Sequence, residues 1–356
     1  MEKKVYNFGI LSTASIALKL ANAIEDCPEA NLAAIASRSL EKAQKWIQDN
    51  NQKNVKAYGT YDELLQDKSI EIVYIPVPTA HKFEWAMKAV RNGKHIILDK
   101  PLPGSINTKE LRELLDLCKL KHIHFMDCTM FIHSLRTNEI VEKIKQGEIG
   151  KVTKVIAGFS YFASENFNKS DIRIQQDLEP LGALGDVCWY SCMAALVAFD
   201  FETPLKIQAL NWKFAENGSL VDILGILRFS DNKVAIVDGS FIESKRQNLE
   251  IVGEKGTFRI ASFSTGDEEL GVKGASRSRF LSSGQYIQTK DGVISNFSTE
   301  KSDQAKLLVE NYINKIEKQD FSYRMADLSL LNQQILVHLF LSVKKNGETL
   351  DFDQNL

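Results

Sequence analysis

The first third of the chain alternates short apolar runs with segments whose apolar residues recur at helical spacing. Residues 4–11 form one such run, and residues 15–24 carry apolar side chains every three or four positions. The alternation predicts further strands over 31–37, 55–58, 71–75, 95–98 and 122–126, with helices through 46–47, from 62, over 81–92 and over 108–119. Strands that alternate with helices indicate right-handed crossovers and a parallel sheet covered on both faces. Ligands bind such sheets beyond the carboxyl ends of the strands.

The pattern changes after residue 127, where longer alternating segments joined by turn residues predominate. They predict strands over 152–162, 205–214, 221–229, 234–241 and 249–252, and helices over 185–199, 303–317 and 325–345. At roughly 150 residues per domain, 356 residues argue for two domains. We therefore predict domains over 1–127 and 128–356. The Gly- and Ser-rich stretch 262–298 is predicted to be loop.

Composition and charge narrow the classes of partner. The chain has 44% hydrophobic and 25% charged residues, as in ordinary globular proteins, and a net charge of -2. No summed positive field would attract nucleic acid or anionic lipid, so neither is expected as a partner. No apolar run reaches the roughly 18 residues of a membrane span, and the opening residues lead into a strand, not a signal-peptide core. Five scattered cysteines favour a reducing compartment, and we expect a cytoplasmic protein.

The turn after the first predicted strand occupies the place of a dinucleotide-binding fingerprint, G-x-G-x-x-G/A. Both leading glycines are replaced by small residues, and the turn reads Ser12, Thr13, Ala14, Ser15, Ile16. Small side chains still let backbone N–H groups at a helix N-terminus approach a pyrophosphate, and hydroxyls add donors. An ordinary strand–helix turn is the alternative interpretation of this segment.

The end of the second predicted strand indicates which dinucleotide would bind. An NAD site usually carries an acidic residue there for the ribose diol, whereas this chain has Ser37, Arg38 and Ser39. Arg38 can pair with a 2′-phosphate, flanked by two hydroxyl donors. The position favours NADP as cofactor and leaves NAD possible, although an Arg after a strand is more often simply solvated.

Several segments together resemble one enzyme family. Residues 75–81 read Ile-Pro-Val-Pro-Thr-Ala-His, residues 97–101 read Ile-Leu-Asp-Lys-Pro, and residues 182–190 read Gly-Ala-Leu-Gly-Asp-Val-Cys-Trp-Tyr. They resemble the Gfo/Idh/MocA oxidoreductases, in which a Pro-rich loop with a His opens a helix, the next strand ends in Glu-Lys-Pro, and a glycine run precedes an Asp and a His or Tyr. Residues 147–152 are similar to the family's entry into its second domain.

This chain departs from the family pattern at a few positions. Asp99 stands where the family has Glu, and Pro180 and Leu181 stand where glycines often occur. With its Tyr in place of His, and with the segment 127–133, the chain is most similar to the branch of dimeric dihydrodiol dehydrogenases and NADP-dependent D-xylose dehydrogenases.

The resemblance implies an α/β fold with an N-terminal Rossmann domain and a C-terminal α/β domain built on a large, mostly antiparallel open sheet. It also implies cofactor-binding roles for Pro76, Pro78, His81, Asp99 and Lys100. The exposed face of the second sheet often builds a dimer in the family, and apolar residues on both faces of strands 221–228 and 233–237 agree with this. We expect a homodimer.

Lys100, Asp186 and Tyr190 are the predicted catalytic residues. Asp186 and Tyr190 are four residues apart in a helical pattern, so their side chains share one helix face. The resemblance implies that this helix caps the cleft where Lys100 ends a parallel strand. Tyr190 would exchange a proton with the substrate oxygen, Lys100 would favour its phenolate, and Asp186 would accept a substrate hydroxyl and hold Lys100 or Tyr190. An exposed helix pair and a solvated strand end are the alternatives for these residues taken singly.

A second set of residues lies on segments that match substrate-facing stretches of the family: Met130, Phe131, His133, Phe162 and Arg173. An apolar wall with a few polar groups would suit a sugar or a cyclic diol. Core packing is the alternative for the first four, and a surface ion pair for Arg173. His122 and His124 share a strand face but have no further ligand at metal-binding spacing, so no metal is expected.

The sequence thus predicts an NADP-dependent oxidoreductase that interconverts a CH–OH group and a carbonyl in a sugar, polyol or dihydrodiol-like small molecule. Reduction of a dicarbonyl or a tetrapyrrole on the same fold is one alternative. A sensor that binds a dinucleotide without turning it over is another, because fold does not establish turnover.

Overall fold

The strands of the first third form a parallel sheet in the computed structural model, which describes residues 3–163, 171–265, 279–282 and 284–356. The strand order is β3-β2-β1-β4-β5-β6, with every pairing parallel. The order reverses between β1 and β4, which marks the ligand-binding crevice of such sheets. The strands are β1 (Tyr6–Leu11), β2 (Ala30–Ala36), β3 (Lys56–Tyr58), β4 (Ile72–Ile75), β5 (His95–Leu98) and β6 (Phe125–Asp127).

Helices connect these strands, and local signals in the sequence set where some of them begin. The Ser39 side chain accepts from the Lys42 N–H at the start of one helix, and Thr60 and Glu63 form a capping box at the start of the next. Both contacts satisfy N–H groups that have no partner inside the helix. The helices are α1 (Ala17–Glu25), α2 (Leu40–Asp49), α3 (Tyr61–Gln66), α4 (Thr79–Arg91) and α5 (Lys109–Leu120).

A second, larger sheet follows in the order β15-β14-β12-β11-β7-β10-β9-β8-β17, and a short ladder pairs β13 with β16. The pair β7–β10 is parallel and the other pairs are antiparallel, which confirms the mostly antiparallel sheet. Its strands are β7 (Val152–Phe162), β8 (Lys206–Phe214), β9 (Leu220–Arg228), β10 (Val234–Ser240), β11 (Ile242–Gly253), β12 (Gly256–Ile260), β14 (Gln285–Lys290), β15 (Val293–Ser298) and β17 (Leu350–Asp351). The short ladder joins β13 (Leu281–Ser282) and β16 (Ser302–Asp303).

Helices cover one face of the large sheet. A short π-helix, Leu184–Cys188, runs directly into α7, whose residues are almost all buried against β7 and β10. The longest helix, α9, packs on β8 and α7. The helices after β6 are α6 (Leu135–Lys145), α7 (Trp189–Ala198), α8 (Gln304–Glu317) and α9 (Arg324–Lys344), of which α8 packs on α1 and not on the large sheet.

Helix α8 comes late in the sequence, yet it packs beside the first sheet. Its residues Leu308 and Tyr312 belong to the same buried cluster as Phe8 and Ile10 of β1. The Tyr312 hydroxyl donates to the main-chain oxygens of Ile96, at 2.8 Å, and of His124. The division into 1–127 and 128–356 stays a prediction, and α8 links its two parts.

The prediction of a loop over 262–298 was wrong for the second half of that stretch. Strands β14 and β15 form a hairpin there, with the pairs Tyr286–Phe297 and Ile287–Asn296. Buried and exposed positions alternate at the start of β14, but Gln288 is buried there while Ile287, Val293 and Ile294 are exposed, so the polar and apolar pattern of the sequence does not mark these strands. Residues 266–278 of that stretch lie outside the described residues. Within the described part of the chain, no helix is long and apolar enough to cross a membrane.

Candidate active site

A cleft of about 970 Å³ opens where β1, β4 and β5 end, between the first sheet and the inner face of the second. Ala14, Ser15 and Ile16 line it after β1, Pro76 and Val77 after β4, and Asp99, Lys100 and Pro101 after β5. Residues of β7, of the segment 171–182, of the π-helix and of α7 form much of the remaining wall. The cleft therefore lies at the strand ends where the parallel sheet predicts ligand binding.

Lys100 and Asp186 form a mostly buried ion pair in this cleft. Lys100 Nζ donates to Asp186 Oδ1 at 2.5 Å and to the Asp186 main-chain oxygen at 2.9 Å, and the two side chains are only 14% and 15% exposed. Burial alone would lower the pKa of Lys100, but the charges of Asp186, Tyr190 and Asp99 raise it above its ordinary value. Lys100 is therefore a fixed cation at neutral pH.

Tyr190 lies beside this ion pair. The Lys100 Nζ is 5.2 Å from the centroid of the Tyr190 ring, and the side chain is nearly buried. Burial raises the pKa of the Tyr190 phenol; Lys100 lowers it, but Asp99 and Asp186 raise it further, so the net shift is upward. Lys100 does favour the phenolate, as the sequence predicts. Burial and the two carboxylates outweigh its effect on the pKa of Tyr190, so the phenol stays protonated at neutral pH.

Asp186 has two further partners, from β7 and from the segment 171–182. Arg173 Nε lies 3.1 Å from Asp186 Oδ2, and the Tyr161 hydroxyl donates to the same oxygen at 3.3 Å. Burial would raise the pKa of the Asp186 carboxyl, but Lys100 and Arg173 hold it at about 2. Arg173 in turn contacts both carboxylate oxygens of Asp171 at 3.1 Å. Asp186 is thus an ionised centre that joins three segments of the site.

Glycines allow the π-helix to approach the strand end that carries Lys100. Gly182 has a φ of +51°, and a Cβ there would lie 2.3 Å from the main-chain oxygen of Leu220. A Cβ on Gly185 would lie 3.0 Å from the Pro101 ring. Only glycine combines this backbone conformation with so close an approach. Gly182 therefore allows a close approach to β9, and Gly185 allows the π-helix that carries Asp186 to approach Pro101, next to Lys100.

The turn after β1 has the backbone of a dinucleotide fingerprint without its glycines. Ser12 adopts a φ of +135°, a region that favours glycine, and its Oγ accepts from the Ala14 N–H at 3.1 Å. Helix α1 has no side-chain cap and no acidic residue in its first turn, and Ala14, Ser15 and Ile16 face the cleft. Uncapped N–H groups beside small residues fit the phosphates of a dinucleotide. Ser12 and Thr13 do not line the cleft.

Ser37, Arg38 and Ser39 lie at the end of β2, outside the cleft itself. Ser37 is buried, Arg38 is exposed, and Ser39 caps α2. Tyr61 of α3 lies close enough for Arg38 to lower its pKa, although burial outweighs this and raises it. An exposed guanidinium between two serines at this strand end fits a phosphate on the adenosine ribose.

The loop after β4 brings a different residue to the cleft from the one predicted. Pro76 lines the cleft, Pro78 immediately precedes α4, and His81 is exposed and points elsewhere. The next residue, Lys82, is buried and lines the cleft. Successive helical residues are about 100° apart, so an offset of one position moves a side chain to another face. The motif identified the loop, but not which residue of it faces the cleft.

A similar offset of one residue separates Phe162 from its neighbour Tyr161. Phe162 is 75% exposed and points away from the cleft, whereas Phe159 and Tyr161 line it. Strand residues alternate between the two faces, so Tyr161 and not Phe162 faces inward. The alternation within 152–162 carried that signal, because Phe159 and Tyr161 are two residues apart.

The remaining predicted substrate residues differ in position. Arg173 lines the cleft, where it is engaged by Asp171 and Asp186. Met130 and Phe131 are buried behind the site, with the Phe131 and Tyr190 ring centroids 6.3 Å apart. His133 lines a separate surface pocket, Asn311 lies 3.1 Å from its Nδ1, and burial lowers its pKa to about 4. The structure does not bring these three side chains into the cleft.

His122 and His124, the two histidines that share a strand face, have no cluster of further ligands in the described part of the chain. Among residues 3–163, 171–265, 279–282 and 284–356, no group of three or more His, Cys, Asp or Glu side chains could hold a metal ion. The aromatic side chain of Phe321 stacks on His124 and packs edge-on against His122. Both imidazoles therefore have aromatic neighbours.

Comparison with protein families matches both parts of the chain. Residues 6–126 match a model described as an oxidoreductase family with an NAD-binding Rossmann fold, and residues 137–259 match a GFO/IDH/MocA C-terminal domain. A D-xylose 1-dehydrogenase (NADP(+)) of Haloferax volcanii is 30% identical over 68% of this chain and 72% of its own. A trans-1,2-dihydrobenzene-1,2-diol dehydrogenase of Xenopus laevis is 27% identical over 72% and 75%.

Solved structures share the complete fold. An aldose-aldose oxidoreductase from Caulobacter crescentus superposes with a TM-score of 0.83 at 17% identity, covering 98% of this chain and all of its own. A 3-ketoreductase from Actinomadura kijaniata, solved with NADP and TDP-benzene, gives a TM-score of 0.80 at 19% identity over 95% and 98%. At such identities the likeness establishes the architecture of both sheets and their arrangement.

Proposed function

The chain belongs to the Gfo/Idh/MocA oxidoreductase family, and on that premise we propose that it is an NADP-dependent oxidoreductase acting on a CH–OH or carbonyl group of a sugar, polyol or dihydrodiol-like molecule. One observation carries the proposal. Lys100, Asp186 and Tyr190 meet in a single cleft, at the ends of parallel strands, with an ion pair at 2.5 Å beside a buried phenol.

The roles of the three residues follow from their charges. Interconversion of an alcohol and a carbonyl needs one group that gives a proton to the substrate oxygen and takes it back. Tyr190 is that group, because its raised pKa keeps a proton on the phenol at neutral pH. Lys100 stabilises negative charge on Tyr190 or on the substrate oxygen, and Asp186 fixes the Lys100 ammonium in place.

The cofactor is held by residues at the ends of β1, β2, β4 and β5. When bound, its nicotinamide accepts or supplies the hydride. The uncapped N-terminus of α1 would hold the diphosphate, and Pro76, Asp99 and Lys100 would border the nicotinamide half. Arg38, between two serines, would pair with a 2′-phosphate and so favours NADP over NAD.

The polar lining of the cleft supports a hydroxylated substrate. Asp171, Arg173, Asp186 and Tyr161 offer donors and acceptors on one side, while Phe159 offers an apolar wall. Such a mixture suits a compact molecule that carries several hydroxyls on an apolar ring or chain. The names of the relatives, a D-xylose dehydrogenase and a dihydrodiol dehydrogenase, agree with this class.

The test is a fluorescence titration with NADPH and NADH, followed by an absorbance screen of nicotinamide oxidation and reduction with D-xylose, D-glucose, a dihydrodiol and small dicarbonyls. We expect tighter binding of NADPH and turnover of a sugar or diol. Binding without turnover of any compound would favour a dinucleotide sensor instead. Turnover of dicarbonyls alone would reassign the substrate, and failure to bind either nucleotide would contradict the proposal.

We also propose a homodimer in the cytoplasm. Ile226, Ile236 and Ile156 are directly opposed on β9, β10 and β7, and all three are half-exposed on the outer face of the large sheet. A row of isoleucines on an open sheet face favours burial against a second copy. All five cysteines are buried and unpaired, as expected in a reducing compartment.

A further inference from the structure

The segment 171–182 is tied to the first residues of α4 by three hydrogen bonds. The Thr79 N–H donates to Glu179 Oε1 at 2.9 Å, the Thr79 hydroxyl donates to Glu179 Oε2 at 2.6 Å, and the Ala80 N–H donates to the Leu178 oxygen at 3.1 Å. A carboxylate at a helix N-terminus satisfies free N–H groups and interacts favourably with the helix dipole. Here that carboxylate comes from a segment 100 residues further along the chain.

Lys82 extends this contact to the catalytic strand end. Its side chain is 1% exposed, and Nζ donates to Thr79 Oγ1 at 3.1 Å and to the Pro101 oxygen at 2.7 Å. Burial lowers the pKa of Lys82, while Glu179 and Asp99 act in the opposite direction. A buried ammonium is costly unless hydrogen bonds hold it, so a lysine at this place is not a neutral choice for filling space.

We propose that Lys82 and Glu179 are positioning residues of the active site, joined through Thr79 into a latch between its two walls. The latch comprises Thr79, Lys82 and Glu179. One end holds the main chain next to Lys100, and the other holds the segment that carries Arg173. This role rests on the function proposed above.

Asp186 lies between the two segments that the latch holds, so the latch affects the ion pairs of Asp186. Lys100 and Arg173 both contact Asp186, and each lies on a segment held by one end of the latch. Opening the latch lets these segments move apart, which disturbs the ion pair beside Tyr190. The turn 12–16 and Arg38, which we assign to the cofactor's phosphates, lie on other loops, whereas Pro76, Asp99 and Lys100 border only its nicotinamide half. Cofactor affinity should therefore be affected much less than turnover.

The test uses the full-length protein with Lys82→Met, Glu179→Ala, the double variant, and Lys88→Met as control. Lys88 lies on the same helix, where it contacts Asp62 and Glu84 at the surface. We expect kcat/KM for the substrate to fall about tenfold or more in each single variant, with less than a twofold further fall in the double variant. NADPH affinity should change less than threefold, and Lys88→Met should match the wild type.

Hydrogen exchange gives a readout that does not depend on turnover. The amides of Thr79 and Ala80 should exchange at least tenfold faster in Glu179→Ala and faster in Lys82→Met, but unchanged in Lys88→Met. Thr79→Ser should retain both exchange protection and activity, whereas Thr79→Val should lose them; this pair keeps the test decisive if Lys82→Met does not fold. If the wild type turns over nothing, the function fails while the exchange data still decide whether the latch exists.

Two outcomes would overturn the latch. Fully additive losses of kcat/KM in the double variant would mean that Lys82 and Glu179 act independently. Unchanged amide exchange in Glu179→Ala, or equal activity in Thr79→Ser and Thr79→Val, would mean that the contacts do not hold the two walls.

Discussion

The Lys100 ammonium contacts Asp186 twice, at the carboxylate and at the main-chain oxygen of the same residue. The second contact ties Lys100 to the backbone of the π-helix, so the position of the ammonium is fixed independently of the Asp186 rotamer. Buried cations and carboxylates depend on such paired contacts, because an isolated charge there is strongly disfavoured. The two walls of the cleft are thus joined at the point where we expect the chemistry.

Removal of the Lys100 ammonium or of the Tyr190 hydroxyl should strongly reduce turnover while leaving the cofactor bound. For Lys100→Met and Tyr190→Phe, we expect kcat to fall by about 10² to 10⁴, the usual contribution of a positioned acid or base. The dissociation constant of NADPH should rise only a few-fold, as measured by fluorescence titration. Tyr323→Phe, which removes a hydroxyl bonded to the Cys118 oxygen, is the control. Full turnover in Tyr190→Phe would refute its assigned role.

The raised pKa of Tyr190 predicts different pH profiles for the two directions of reaction. Carbonyl reduction uses the protonated phenol, so its kcat should be nearly flat between pH 6 and about 9. Alcohol oxidation needs the deprotonated form, and its kcat should rise with pH over the same range. Because Lys100 lowers the pKa of Tyr190, Lys100→Met should move the rising limb to higher pH. Parallel profiles in the two directions would contradict Tyr190 as the group that titrates.

The low pKa of Asp186 makes the ion pair sensitive to acid. Lys100 and Arg173 outweigh burial and hold this pKa at about 2, below its ordinary 3.8, so the stabilisation is complete above pH 5 and is lost as pH falls. The difference in free energy of unfolding between the wild type and Asp186→Asn should therefore narrow by about 1 kcal/mol between pH 6 and pH 3. Urea unfolding at several pH values measures it. A constant difference would mean that the carboxylate is not stabilised in the folded state.

Arg38 should decide the choice of nucleotide. Arg38→Ala is expected to weaken NADPH binding by about tenfold or more, the usual worth of a charge-assisted pair, and to change NADH binding less than threefold. Titration of both nucleotides checks this, with Arg91→Ala at the exposed end of α4 as the matched control. Equal losses for the two nucleotides would assign Arg38 to a contact that they share.

The isoleucine row on the large sheet should hold the dimer together. We expect a light-scattering mass of about twice the 40.1 kDa chain, and a shift toward the single-chain mass in Ile236→Lys. A charge at the centre of an apolar interface is costly to bury, whereas the same change at Val293 on the edge hairpin should have little effect. A wild-type mass of one chain would exclude the dimer.

The sequence predicted the architecture well because the signals for it are redundant. Strands such as β1, β4 and β5 carry apolar runs of their own, and the helical spacing between these runs marks the crossovers. The glycine motif around Gly182 and the four-residue spacing of Asp186 and Tyr190 also correspond to close contacts in the structure.

The sequence predicted less well which individual side chains point into the cleft. His81 and Phe162 lie on the segments expected, but their neighbours Lys82 and Tyr161 face the cleft. The phase of a helix or strand depends on where it begins, and a shift of one residue reverses a strand face. The sequence analysis expected Lys100 to favour the Tyr190 phenolate, whereas the pKa of Tyr190 is raised. Its burial and its distances from Asp99 and Asp186 depend on the three-dimensional arrangement, which spacing along the chain does not reveal.

The contact of Tyr312 with Ile96 joins residues 216 positions apart and supplies part of the covering of the first sheet. During synthesis, β1 to β6 leave the ribosome long before α8 does, so that apolar face stays open to water until late. Closing so long a loop also carries an entropic cost, which the packing of α8 has to offset. We therefore expect residues 1–127 without α8 to leave part of the cluster that contains Phe8 and Ile10 open to water.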